Sequence, residues 1–204
     1  MNPWQNILLS DYENHMKLDL VKQLQTLNKM MKKQFYQYPV KSIMILGIAG
    51  GNGLEHIDNK MIEKVYGVDI NPQYLSECKK RYSNLNEILE CLCIDLTKTK
   101  LELPHTDIII ADLLLEYIGY ESFKNVIKIV KPVYISTIIQ INTETTFVSK
   151  SPYLHVFDDL NKIHHQIDEK SLITCMENIG YFLINKDEQS LPNEKKLVQL
   201  DFKC

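Results

Sequence analysis

Hydrophobic positions near the N-terminus recur every three or four residues. This spacing extends from Met16 to Phe35 and predicts an amphipathic helix of roughly seven turns, with room for one break. The helix is expected to begin at the capping-box pair Ser10 and Glu13 and to end before Pro39. Lysines fill the other face of this helix, and a solvated surface is the default interpretation of such a face.

Apolar runs of strand length then alternate with segments of helical periodicity. This alternation predicts a mostly parallel sheet with helices on both faces. One helix is expected to begin at Gly53, because apolar residues follow it at helical spacing. Another should open at Asn71 and Pro72, since proline suits the first turn of a helix. The predicted strands of this region cover residues 43–46, 65–69, 89–94, 107–111 and 133–141.

The C-terminal part of the chain breaks the alternation. After a helix predicted near residues 169–178, strand patterns at 180–185 and 197–202 are separated by a short polar segment. No helix fits between these two strands, so they are expected to pair as an antiparallel hairpin. Residues 142–162 are predicted to form an irregular insertion. No linker divides the chain, and a single domain over residues 1–204 is therefore expected.

Composition limits the classes of function. The chain has 204 residues, 45% of them hydrophobic and 24% charged, which is typical of a soluble globular domain. The net charge of −3 argues against a general nucleic-acid or acidic-membrane partner. The sequence lacks a secretory signal pattern at its start, so a cytoplasmic location is expected. The five cysteines are interpreted as reduced buried thiols, with a metal site as a distant alternative, and His164 and His165 are expected at the surface of a polar helical stretch.

The first strand ends in a run of small residues. Gly47, Ala49, Gly51 and Gly53 occupy every second position, and such residues allow a ligand to approach the backbone closely. Asp69 ends the second strand sixteen residues after Gly53, near the spacing at which a carboxylate reaches the hydroxyls of a bound ribose. The pattern therefore indicates a site for a nucleotide-like ligand. Gly47 and Gly50 could instead serve only close strand–helix packing, and Asp69 could cap the next helix.

Two features distinguish the kind of nucleotide site. Dinucleotide-dependent oxidoreductases have the spacing G-x-G-x-x-G and normally continue with parallel strand–helix units. The alternating small residues and the terminal hairpin instead resemble class I S-adenosylmethionine-dependent methyltransferases, from about Met44 to the C-terminus. The resemblance implies an α/β, Rossmann-like, doubly wound sheet of seven strands, mostly parallel with an antiparallel C-terminal strand. It also implies a core at residues 41–204, with the helical segment 1–40 as a lid.

The resemblance implies S-adenosylmethionine as cofactor, with S-adenosylhomocysteine as product, and assigns residues to it. Gly47 stands where the family has an acid that often holds the methionine amino group, so another group, such as a loop carbonyl or a residue of the N-terminal segment, is expected to do this here. Asp69 matches the ribose-binding acid, Asp95 the acid beside the adenine, and Asp112 the strand end next to the reacting centre. Asp95 could instead close a turn with Thr97. The full expected cofactor set is Gly47, Ala49, Gly51, Gly53, Asp69, Ile70, Asp95, Leu96 and Asp112.

The methyl acceptor is less defined by the sequence. A hydroxyl or ammonium acceptor needs a base, and the candidates are Asp112, Glu116, Tyr117 and His15. The absence of N-P-P-Y and Pro-Cys motifs, with the acidic chain, favours a small molecule or a protein side chain over DNA or RNA, and a small molecule is the expected acceptor. A nicotinamide-dependent oxidoreductase and a non-catalytic adenosyl-ligand-binding protein stay as alternatives. The expected walls of the acceptor pocket are Trp4, Tyr12, His15, Met16, Phe147, Ser149 and Tyr153, and no metal site is expected.

Overall fold

A seven-stranded sheet forms the centre of the molecule. The structure is a computed structural model that describes residues 2–142, 148–149 and 151–204. With strands numbered along the chain, the sheet order is 3-2-1-4-5-7-6. The first five strands of the chain pair in parallel, and the seventh lies between the fifth and the sixth and pairs antiparallel with both. This architecture confirms the predicted fold and the C-terminal hairpin. The strands are β1 (Ser42–Leu46), β2 (Lys64–Asp69), β3 (Leu89–Cys93), β4 (Ile108–Asp112), β5 (Tyr134–Ile141), β6 (Phe182–Ser190) and β7 (Lys196–Lys203).

Helices cover both faces of the sheet. Successive side chains of each strand point to opposite faces, and apolar side chains on both faces are buried by this packing. On β1, Ile43 and Ile45 pack with Phe35, whereas Met44 and Leu46 belong to the core on the opposite face. The helices are α1 (Leu9–Met16), α2 (Gln23–Tyr36), α3 (Pro72–Arg81), α4 (Leu115–Val130, kinked at Gly119) and α5 (Glu169–Glu177). Short 3-10 turns lie at Pro3–Gln5, Leu54–His56, Ser83–Leu85 and Leu154–Lys162. Among the described helices, none is long and apolar enough to cross a membrane.

The N-terminal segment differs in detail from the prediction. It forms two helices, α1 and α2, because the chain turns between them and Lys22 adopts a left-handed conformation with φ of 51°. The break that the sequence allowed is therefore present. The capping-box prediction was wrong, since α1 begins after Leu8 and Ser10 lies inside its first turn.

The predicted helix after Gly53 was also wrong. Only the 3-10 turn Leu54–His56 forms there. Two backbone groups that a longer helix would use are bound by Tyr36 of α2, whose hydroxyl donates to the His56 carbonyl and accepts from the Asp58 N–H group at 2.8 Å. The glycine loop therefore lacks the helix N-terminus that usually completes a phosphate site.

Three smaller expectations need correction. β6 continues to Ser190, because its polar second half pairs with β7 at the edge of the sheet. Of the five free cysteines only Cys78 is buried, while Cys93 and Cys204 are exposed. His164 and His165 lie in a segment without regular secondary structure and not in a helix, since α5 begins only at Glu169. Part of the expected insertion, including Phe147, lies outside the described residues.

Candidate active site

The first cavity lies at the carboxyl ends of the parallel strands. It comprises about 680 Å³ of space free of protein atoms, part of it open to solvent. β1, β2 and β4 end at this cavity, which is where open α/β sheets bind their ligands. The described lining residues include no Lys or Arg. The lining residues drawn from the expected cofactor set are Gly47, Ala49, Asp69, Ile70, Asp95, Leu96 and Asp112.

The glycine loop divides into a half that lines the cavity and a half that packs against helices. Gly47 and Ala49 line the first cavity, both with positive φ. Gly51 and Gly53 are absent from that lining. A Cβ atom on Gly51 would lie 2.7 Å from Tyr82, and one on Gly53 would lie 3.0 Å from the Met31 sulfur. The structure thus gives the last two glycines a packing environment beside α2 and α3.

Asp69 connects the loop to the cavity. Its Oδ2 accepts from the Ala49 N–H group and its Oδ1 accepts from the Asn71 N–H group, each at 2.9 Å. The residue is 9% exposed, and burial raises the pKa of its carboxyl while these backbone donors lower it. Each oxygen has a further lone pair with which it could accept from a ligand hydroxyl. Asn71, and not Asp69, caps α3 by accepting from the Gln73 N–H group at 2.9 Å.

Asp95 and Asp112 both line the first cavity and have different hydrogen-bond partners. Asp95 accepts from the Thr97 N–H group at 3.0 Å and from the Thr97 hydroxyl at 2.6 Å, so the expected turn is present at the lining. Asp112 Oδ1 accepts from the Gln34 side chain at 2.9 Å, a contact across the fold that the sequence pattern did not indicate. Asp112 Oδ2 is buried and lacks a hydrogen-bond partner among the described residues. Burial raises the pKa of the Asp112 carboxyl to about 7.

The N-terminal segment covers the first cavity. Asn2, Trp4 and Tyr12 belong to the lining. α3 holds the segment through its N-cap and its last turn. Asn71 donates to the Trp4 carbonyl at 3.0 Å, and Arg81 forms a two-point ion pair with Glu13.

A second cavity adjoins the first. It comprises about 580 Å³ of space free of protein atoms, again partly open to solvent. Its lining includes Trp4, Tyr12 and Tyr117, which also line the first cavity. The Trp4 ring packs edge-on against Tyr12 at 5.5 Å and against Tyr117 at 5.0 Å between ring centroids. This aromatic cluster, Trp4 with Tyr12 and Tyr117, forms a shared wall between the two cavities.

Two buried titratable groups line the second cavity. Glu116 is 6% exposed, and its Oε1 accepts from the Gln140 N–H group at 2.9 Å. Burial raises the pKa of the Glu116 carboxyl to about 7. His15 packs on the Phe157 ring at 4.9 Å, and its Nδ1 lies 2.8 Å from Ser151 Oγ. Burial, with a smaller contribution from Lys195, lowers the pKa of His15 to about 4.

Of the other residues expected in the acceptor pocket, some line the second cavity and some do not. Met16 lines it, as does His164, which the sequence placed at the surface. Tyr153 belongs to the adjacent apolar cluster with Phe157 and is absent from the lining. Ser149 accepts from the Asn193 side chain at 2.7 Å. Among the described residues, no group of three or more metal-ligating side chains is present.

Comparison with known proteins finds one family model that matches part of the chain. Residues 45–134 match a family described as methyltransferase domain. No curated protein is similar enough in sequence to count as a match.

Several solved structures share the fold at low sequence identity. N-methyltransferase NodS from Bradyrhizobium japonicum WM9, solved with S-adenosyl-L-homocysteine, is 12% identical and has a TM-score of 0.69, with 100% of this chain and 98% of that chain covered. Magnesium protoporphyrin IX methyltransferase from Synechocystis PCC 6803, solved with bound SAM, is 10% identical and has a TM-score of 0.61, covering 94% and 83%. The [4+2]-cyclase SpnF is 9% identical with a TM-score of 0.66, covering 90% and 82%. The cyclase illustrates that this fold alone does not assign an activity. The family match over residues 45–134 and the shared fold both agree with the resemblance of this chain to class I S-adenosylmethionine-dependent methyltransferases.

Proposed function

We propose that the protein transfers a methyl group from S-adenosylmethionine to a small-molecule acceptor. The observation that carries the proposal is the pair of adjoining cavities separated by the aromatic cluster. A two-substrate transfer needs one site for the donor, a second site for the acceptor and a short path between their reacting atoms. The first cavity has the position and the acid of a nucleoside site, and the second is a partly open pocket with mixed polar and apolar walls.

The first cavity fits the donor. Asp69 is the proposed partner of the ribose hydroxyls, and Asp95 with Leu96 is proposed to lie beside the adenine. The unpartnered Oδ2 of Asp112 suits the methionine ammonium, because a buried carboxylate oxygen without a partner is costly until a donor reaches it. Register places Asp112 beside Gly47, since Leu46 pairs with Ala111. We therefore propose that Asp112 replaces the acid that Gly47 lacks.

The same cavity is a poor fit for a dinucleotide. A pyrophosphate needs free backbone N–H groups, a helix N-terminus or a cationic side chain. The N–H groups of Gly47, Ala49 and Gly51 already donate to Val68, Asp69 and Ile48, respectively. Only a 3-10 turn follows the loop, and the described lining lacks Lys and Arg. This set of observations favours an adenosyl sulfonium over a nicotinamide cofactor.

The protein's own groups would align the reactants and exclude water. When bound, the sulfonium supplies an activated methyl group, so the enzyme contributes mainly position and electrostatics. The faces of Trp4, Tyr12 and Tyr117 suit a cation at the shared wall. We propose that the N-terminal segment closes over both substrates as a lid, which its contacts with Asn71 and Arg81 support.

Ligand titration followed by a turnover assay tests this function. A ligand at hundreds of times its dissociation constant stabilises a protein by about 3 kcal/mol or more. We expect such stabilisation from S-adenosylmethionine and S-adenosylhomocysteine, and none from NAD or NADP. Pooled small molecules with S-adenosylmethionine should then release S-adenosylhomocysteine and gain the mass of a methyl group. Stabilisation by NAD or NADP alone contradicts the proposal, and adenosyl binding without methylation of any pool favours a non-catalytic binding protein.

A further inference from the structure

We propose that the second cavity selects an amine as methyl acceptor and that Glu116 holds the acceptor nitrogen and takes its proton. The inference rests on the proposed function, because it names the substrate class of that same site. Its starting observation is the unpartnered oxygen of Glu116. Oε2 of this side chain is buried and lacks a hydrogen-bond partner among the described residues, although Glu116 lines a cavity large enough for a ligand.

A carboxylate oxygen in this situation needs a donor, and a charged donor suits it best. Charge-assisted hydrogen bonds are about twice as strong as neutral ones, and removal from water strengthens them further. Oε1 is already fixed by the Gln140 N–H group at 2.9 Å, so the carboxyl group has a set orientation. The described lining of the second cavity contains no Lys or Arg that could neutralise it. Lys195 acts electrostatically on His15, at the side of the cavity formed by α1, and is absent from the lining.

The remaining walls match an ammonium group attached to an apolar skeleton. Trp4, Tyr12 and Tyr117 offer aromatic faces, which attract cations. Met16 and Phe157 supply apolar contact for the rest of the molecule. The other titratable side chains that line the cavity are His15, His164, Tyr12 and Tyr117. Burial lowers the pKa of both imidazoles and raises the pKa of both phenols, which favours the neutral form of each. A neutral imidazole does not repel an ammonium ion.

The same arrangement carries out the proton transfer that the reaction needs. An alkylammonium ion has no lone pair, so it must first lose one proton, which Glu116 accepts. The free nitrogen pair then forms a bond to the methyl carbon while the methyl–sulfur bond breaks and its electron pair stays on sulfur. The products are a methylated ammonium ion, S-adenosylhomocysteine and a protonated Glu116, which returns its proton to solvent. Burial keeps the acidity of Glu116 near neutrality, which suits a group that both accepts and releases this proton.

The test compares matched acceptors and matched variants on the whole chain. Pairs of one skeleton, such as benzylamine with benzyl alcohol, are offered with S-adenosylmethionine, and the methylated products are identified by mass. Glu116→Gln keeps an oxygen for the Gln140 N–H group but removes the charge. Glu121→Gln is the control, because Glu121 lies on the same helix and its side chain is 88% exposed.

The expected result is methylation of amines and not of the matching alcohols. Glu116→Gln should lower kcat/KM for the amine by about 100-fold, as expected for loss of a buried charged partner. Its affinity for S-adenosylhomocysteine should stay within about twofold of wild type, as should every property of Glu121→Gln. Methylation of alcohols, failure to methylate any amine while S-adenosylhomocysteine binds, or an unimpaired Glu116→Gln overturns the amine assignment alone. Absence of adenosyl-ligand binding in the wild type overturns the proposed function as well.

Discussion

Asp69 gives the sharpest mutational test of the donor site. Its carboxylate accepts from the Ala49 and Asn71 N–H groups at 2.9 Å each and lines the first cavity. Asp69→Ala removes the proposed partner of the ribose and leaves two backbone donors without their acceptor. A useful control exists at the other end of the sheet, where Asp107 Oδ2 accepts from the Lys41 and Ser42 N–H groups at 2.8 and 2.9 Å.

The expected magnitudes follow from these contacts. A hydrogen bond to a charged group contributes about 1.5–3 kcal/mol, so losing the ribose interaction should weaken S-adenosylhomocysteine binding roughly 10–100-fold. Each orphaned backbone N–H group costs about 1–3 kcal/mol of stability if it stays buried. Removing a buried charge offsets part of that cost at Asp69, because burial raises the pKa of its carboxyl. Asp107→Ala should lose stability without losing affinity.

Isothermal titration calorimetry with S-adenosylhomocysteine measures the affinities, and urea titration measures the free energies of unfolding. We expect a 10–100-fold larger Kd for Asp69→Ala only. A Kd for Asp69→Ala within about twofold of wild type refutes the ribose assignment. An equal loss of affinity in Asp107→Ala shows that the effect is global and not a property of the site.

Three further predictions test the loop, the lid and the buried acid. Gly51→Ala should lower the free energy of unfolding, measured by urea titration, by about 2–4 kcal/mol, because φ is 86° and the new Cβ would lie 2.7 Å from Tyr82. Gly180→Ala has a similar φ of 85° but open space around the new Cβ, and should lower it by only about 1 kcal/mol. Arg81→Ala should raise the dissociation rate of S-adenosylhomocysteine several-fold, since it frees the N-terminal segment, and the fluorescence of Trp4, the single tryptophan, reports this rate. Burial raises the pKa of Glu116 from 4.5 to about 7, so the folded state retains a proton that the unfolded state loses. This group should therefore lower the free energy of unfolding as pH rises from about 4.5 to 7, and Glu116→Gln should remove its contribution to that pH dependence.

Each of these predictions has an outcome that contradicts it. Equal costs for the two glycine variants mean that packing at Gly51 is unimportant. An unchanged dissociation rate in Arg81→Ala, or the same increase in the surface-pair variant Lys41→Ala, argues against a lid held by α3. Parallel stability–pH curves for wild type and Glu116→Gln show that the acid is not buried as described. The wild-type curve must be compared with the Glu116→Gln curve, because His15 also titrates in this pH range. Its lowered pKa makes the protein less stable as pH falls, which is opposite to the effect of Glu116.

The sheet could be predicted because its signals are local. Short β-branched runs define the parallel strands, and the polar segment between β6 and β7 is too short for a helix. The helix expected after Gly53 fails for a tertiary reason, since the Tyr36 hydroxyl occupies its backbone groups from α2. Local periodicity carries no information about such a distant partner.

For the candidate site, the sequence indicated which residues lie at the strand ends. Asp69 and Ala49 follow from strand ends and spacing, and the structure brings them within 2.9 Å. Nothing local shows that Gln34 reaches Asp112 across 78 positions, or that Glu116 is left with an unpartnered oxygen. Those properties depend on which helices cover the strand ends, and only the folded chain defines them.

A crystal structure with bound S-adenosylhomocysteine is the decisive measurement for the two-cavity arrangement. We expect the ribose hydroxyls within hydrogen-bond distance of Asp69 and the sulfur atom at the shared wall of Trp4, Tyr12 and Tyr117, facing the second cavity. A ligand bound elsewhere, or a sulfur atom turned away from the second cavity, contradicts it.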